Sequence, residues 1–169
     1  MLTRRIRWLP LLILAAPACG SSSGGAPFTP TTPVADPCSM LLLADVQALL
    51  PGAAPGYQLA PDDTADVWMR GCAWQASGMS VTLLVEGALT SSGNITIGFG
   101  VEANSNSSTQ ATAVSGLGDK AVYLDNVGLD QILNARKGSE LVSVAAAGFT
   151  PKVPEASLHP LAVEALGNL

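Results

Sequence analysis

Ser80-Val-Thr-Leu-Leu-Val-Glu86 alternates along its length: Val81, Leu83 and Val85 point to one side of an extended chain, and Thr82, Leu84 and Glu86 to the other. A two-residue period is the mark of a strand packed on a core, so this stretch sets the reading of everything around it. Downstream, Asn94 to Val101 repeats the pattern more cleanly, with Ile95, Ile97, Phe99 and Val101 alternating with Asn94, Thr96, Gly98 and Gly100. Val67 to Gln75, Lys120 to Asp125 and Glu140 to Ala147 read as further strands, whereas Leu129 to Ala135 reads as a short helix or turn. Asn104 to Thr109 is polar throughout and reads as a loop.

Helical signals lie at the two ends of this run. Cys38 to Leu50 places Leu42, Val46, Leu49 and Leu50 on one helical face, with Ser39 as the expected cap and Pro51-Gly52 as the stop. Pro-, Gly- and Asp-rich sequence follows to Asp66 and reads as a loop. At the far end, Leu158, Leu161, Ala162, Ala165, Leu166 and Leu169 recur at three- and four-residue spacing. Because proline is tolerated only in a helix's first turn, Pro160 sets the expected start of that helix near His159. Helix, antiparallel strands, helix is an α+β pattern: a sheet of about five strands with both helices on one face.

Residues before this domain carry export signals. Arg4, Arg5 and Arg7 precede an apolar run from Trp8, which ends in small residues at Ala16 and Ala18; residues 1 to 18 therefore read as a signal peptide. The run is shorter than the roughly 20 apolar residues of a membrane span. Ala16-Pro17-Ala18 suits ordinary secretory cleavage, and Ala18-Cys19 resembles the lipobox at which bacterial lipoproteins are cut and lipidated. Gly20-Ser-Ser-Ser-Gly-Gly25 then reads as the start of a flexible linker reaching to Asp36, leaving Pro37 to Leu169 as one domain.

Three cysteines fit that arrangement. If Cys19 carries lipid, Cys38 and Cys72 remain as an even pair for one disulfide in an oxidising compartment. It would tie the first helix to the first strand. Cleavage after Ala18 removes three arginines and no acids, so Lys plus Arg falls from 8 to 5 against 13 Asp plus Glu, and net charge moves from −5 to −8. Five scattered bases on an acidic domain do not make the phosphate-neutralising patch that nucleic acid requires.

Cys-Ser-Met-Leu-Leu-Leu-Ala-Asp-Val from Cys38, Cys-Ala-Trp from Cys72, Val-Ser-Gly-Leu-Gly-Asp-Lys-Ala from Val114 and Leu-Ala-Val-Glu-Ala-Leu from Leu161 occur in that order. Together they resemble the signposts of a large group of bacterial, mainly actinobacterial, lipoproteins catalogued as a domain of unknown function. The resemblance spans nearly all of Pro37 to Leu169. Members usually have threonine where this chain has Leu43 or Ala44, so a helix cap is missing here. The resemblance implies a signal peptide, a lipidated cysteine and a small disulfide-bonded domain outside the membrane, and it implies no activity.

No set of residues spells out catalysis. His159, the one histidine, stands beside Pro160 at the expected helix start and reads as capping or solvated. Gly116-Leu-Gly-Asp119 precedes a strand rather than a helix, so it reads as a turn and not as a phosphate loop. Asp62, Asp63 and Asp66 lack the spacing of a calcium loop and read as a solvated acidic loop. In Cys72-Ala73-Trp74 the indole falls on the sulfur's side of the strand and reads as core over the disulfide. Tyr57, Trp68 and Met69 are the residues expected nearest a surface cleft and at a ligand. The expectation is a membrane-anchored extracytoplasmic binding module for a small ligand or an envelope protein, with no metal and no cofactor. A hydrolase built on carboxylates such as Glu86, Glu102 and Asp125, or a structural subunit of an envelope complex, are the rival readings.

Overall fold

The computed structural model describes residues 28–99, 109–126 and 130–169. Among them seven strands form one antiparallel sheet: β1 (Tyr57–Gln58), β2 (Val67–Ala76), β3 (Met79–Ala88), β4 (Thr109–Val114), β5 (Lys120–Asn126), β6 (Gln131–Lys137) and β7 (Glu140–Ala147). Their order is β1-β2-β3-β7-β6-β5-β4. The β2–β3 hairpin turns on Ser77 and Gly78, both at positive φ, which matches the twist of the strands it joins. It then pairs through β3 with β7, the last strand of the β4-to-β7 meander.

Register sorts the side chains into two faces. Val81, Leu83 and Val85 of β3 stand level with Trp74, Cys72 and Arg70 of β2 and with Ala146, Val144 and Val142 of β7. This first face is roofed by α3 (Glu155–Gly167), which contributes Leu158, Leu161, Ala162, Ala165 and Leu166, and by α1 (Leu43–Leu49), which contributes Val46. Each fully buried leucine or valine here is worth roughly 1.5–3 kcal/mol of transfer free energy. The second face carries α2 (Ser91–Phe99), whose Ile97 packs in a smaller core with Ala88, Val122 and Leu141.

The architecture is α+β, as the patterning indicates, with seven strands in place of about five; the two terminal helices share one face, and α2 adds a third helix on the other. Asn94 to Val101 is the main correction: the described part of it is helical. Thr90 caps α2 by accepting a hydrogen bond from the Gly93 N–H at 3.1 Å, and Gly93 must be glycine because a Cβ there would lie 1.9 Å from the Asp66 carbonyl oxygen. The expected helix or turn at Leu129 to Ala135 is instead β6 from Gln131. That strand sits between β5 and β7 with apolar residues on both faces, so it shows no clean alternation.

Both terminal helices also differ in detail. The N-terminal segment is broken into a 3-10 turn (Pro37–Met40) and α1, with extended backbone between them at Leu41 and Leu42. Asp36, not Ser39, caps the turn by accepting from the Cys38 N–H at 2.9 Å. Leu42 is consequently swung off the apolar face and is 64% exposed. α3 begins at Glu155, well before His159, and keeps Pro160 inside it. The missing N–H removes one helical bond, and burial of the five apolar residues of α3 offsets that cost.

Cys38 and Cys72 have their sulfurs at a disulfide distance, 1.99 Å, joining the 3-10 turn to the strand expected to follow it at Val67 to Gln75, which is β2 because the two-residue β1 lies in the expected loop. Part of the expected linker is docked on the domain. Phe28 packs beside the smaller core, Val34 against the larger, and Thr31 donates its backbone N–H to the Ala88 carbonyl at 2.9 Å.

Candidate functional site

Between α2 and the outer strands of the second face lies an open pocket of about 430 Å³. Alternation along β2 sends Val67 and Met69 to this face, and the register sets Met69 directly opposite Glu86 of β3. Asp62, Thr64 and Asp66 form one wall, and Thr96 of α2 belongs to the other.

The acidic wall is a built turn. Thr64 Oγ1 accepts from the N–H groups of Asp66 and Val67 at 3.2 and 3.0 Å, and the Asp62 N–H donates to the Met69 carbonyl. Asp66 accepts from the Thr90 hydroxyl at 2.5 Å, which fastens the turn to the cap of α2. Asp63 faces away from the pocket onto Arg70, whose guanidinium reaches both carboxylate oxygens and holds this carboxyl below its ordinary value.

Glu86 stands apart from these acids. It is half-buried, and it forms no hydrogen bond or ion pair among the described residues. Burial alone pushes its carboxyl above the ordinary 4.5. A carboxylate held on an apolar floor without a partner costs stability whenever it is charged.

This gives the pH dependence a definite sign. Folded protein holds the Glu86 proton more tightly than unfolded chain does, so this group's contribution is fully present below pH 4.5 and is lost as pH rises through the raised folded value. Glu86→Gln removes that loss. Urea midpoints measured from pH 4.5 to neutrality should therefore fall less in the variant than in the wild type. Glu140, also raised by burial, preserves part of the wild-type slope in both.

Of the residues expected at a ligand, Met69 lines this pocket. Tyr57 lies on the edge strand β1, 49% exposed, and its hydroxyl accepts from Gln75 Nε2 at 3.0 Å. Trp68 is not near a surface cleft: it points to the first face, is fully buried, and donates its indole N–H to Thr31 Oγ1 at 2.8 Å. Trp74 is buried on the same side as Cys72. Cys19 and Glu102 lie outside the described residues.

The carboxylates proposed for hydrolysis are not brought together as a set. Asp125 is on the first face, bound by Lys152 Nζ at 2.7 Å, with the sheet between it and Glu86. Instead Glu86 shares its pocket with Asp62 and Asp66. Sequence alternation already grouped Glu86 with Thr82 and Leu84, but the wall made by the Asp62–Asp66 turn and α2 gave no signal of its own.

The Gly116-Leu-Gly-Asp119 motif is a clasp. Asp119 donates its N–H to the Arg136 carbonyl at 2.7 Å and accepts from the Gly138 N–H at 2.6 Å, tying the β4–β5 turn to the β6–β7 turn. Gly118, at φ +59°, fits because a Cβ there would lie 2.2 Å from the Arg136 carbonyl oxygen. His159 Nδ1 lies 2.7 Å from Glu155 Oε1, one turn earlier in α3.

No helix among the described residues is long and apolar enough to cross a membrane. Comparison of the chain with protein-family models, curated proteins and solved structures finds no match.

Proposed function

We propose that this chain is a membrane-anchored extracytoplasmic lipoprotein, lipidated on Cys19 after removal of residues 1 to 18, whose domain binds a small molecule in the pocket over Glu86. The observation that carries the binding reading is Glu86 itself, a half-buried carboxylate on the floor of a pocket with no partner among the described residues. A ligand that suits this surroundings has an apolar body to lie on Val67 and Met69 and a hydrogen-bond donor or positive charge to meet the carboxylate. The anchor and the compartment are supported by the export pattern and by the cysteines, since the close approach of Cys38 and Cys72 leaves Cys19 as the odd thiol.

Native mass spectrometry of protein extracted from its own membrane tests the binding reading. The native mass should exceed the denatured mass by one small molecule, and Glu86→Gln should lose most of that adduct. Equal native and denatured masses, or an adduct indifferent to Glu86→Gln, would contradict it.

One observation favours a second reading. Asp62 and Asp66 line the same pocket as Glu86, and carboxyls in unlike surroundings are the raw material of general acid and base catalysis. Conversion of the co-purified molecule on incubation, abolished by Glu86→Gln, would separate hydrolysis from binding.

A further inference from the structure

The chain enters the described domain beside α2. Phe28 packs against the core to which Ile97 belongs, and three residues later Thr31 is fixed to Ala88 by both its N–H and its hydroxyl, at 2.9 and 3.0 Å. α2 itself, Ser91-Ser-Gly-Asn-Ile-Thr-Ile-Gly-Phe99, carries no charged side chain. Its Ile97 is buried at 1% exposure, whereas Ile95 turns outward at 64%. An uncharged helix with an outward isoleucine, on the side from which the anchor leaves, is placed to meet lipid.

We propose that α2 rests on the lipid surface with Ile95 entering it, so that the pocket beside Thr96 opens close to the membrane. The proposal rests on the reading of Cys19 as the anchor. Nine residue steps separate Cys19 from Phe28. At full extension these span at most about 30 Å, whatever their conformation. A domain of this length has a radius of gyration of about 14 Å, hence a diameter of roughly 36 Å and a path around it longer still. The leash is too short to carry the opposite face to the bilayer.

That opposite face also has exposed apolar residues, Leu42 at 64% and Val163 at 50%, and the length of the leash is what sets it apart. Acids border both faces: Glu164 accepts from the Leu42 N–H at 2.8 Å, and Asp62 and Asp66 line the pocket across from Thr96. Beside α2, Arg136 donates to Asn94 Oδ1 at 2.8 Å and brings a cation within reach of anionic headgroups.

The test compares Ile95→Trp with Val163→Trp in the full lipidated protein, reconstituted into vesicles of phosphatidylglycerol and phosphatidylethanolamine brominated on the acyl chains. Both positions are exposed, and the emission of the buried Trp68 and Trp74, measured on the wild type, is subtracted from each variant's. An interfacial helix sinks its apolar face ~5–10 Å into the headgroup and acyl boundary, so the emission added by Ile95→Trp should fall by about half or more. The emission added by Val163→Trp should be little quenched. Vesicle-bound protein in which Ile95→Trp is quenched no more than Val163→Trp overturns the proposal while leaving the anchor standing. Protein that does not float with the vesicles removes the anchor reading, and this proposal falls with it.

Discussion

Trp68→Ala is expected to lower stability by about 3–5 kcal/mol, the range for emptying a buried aromatic site. The reason is the register of β2. Trp68 stands level with Gly87 and shares the first face with Cys72 and Trp74, where the larger core closes over it. Its indole N–H also holds Thr31, so truncation loosens the docked segment before the domain. Met69→Ala, one residue along, faces the pocket and is half-exposed, so its cost should be well below that of Trp68→Ala. Urea denaturation of the two variants side by side checks this. Equal costs would place both residues in one environment and contradict the division of faces.

Cys38→Ser with Cys72→Ser has the next largest expected effect. The bridge closes a segment with a separation of 34 residues, for which the chain-entropy account gives roughly 3–4 kcal/mol. Cys72 is fully buried in the core, so the serine hydroxyl adds a desolvation penalty of its own. The loss should be greatest at the N-terminal end, where the bridge fixes the short 3-10 turn to β2. Thermal unfolding with and without reductant is the measurement: a large fall in midpoint is expected, and coincident curves would mean that the two thiols are not bridged.

Much of the sheet was legible because strands with one clear apolar side announce themselves. Ser80 to Glu86 and Glu140 to Ala147 carry the period of two that their faces demand. β6 was missed for the opposite reason: a strand buried on both faces has no contrast to read. α2 imitates a strand, since Ile95 and Ile97 alternate with polar residues, yet one is buried and the other exposed. What decides it lies outside the segment, in the Thr90 cap and in the close approach of Gly93 to Asp66. Local alternation loses to a capped turn with a glycine where backbone meets backbone.

The placement of Trp68 could have been found. Cys72 and Trp74 share one side of β2, and two further steps of the same alternation bring Trp68 to that side and Met69 to the other. Glu86 was equally readable as a second-face residue. Its half-buried state was not, because the walls around it come from a loop and a helix remote from it in sequence.

The proposed anchor at Cys19 is tested by the mass of the membrane-extracted protein under denaturing conditions. The expected species is a chain beginning at Cys19 with diacylglycerol attached, which gains about 2 Da on reduction as one disulfide opens. A chain carrying an unmodified Cys19 thiol, recovered without lipid, would contradict it.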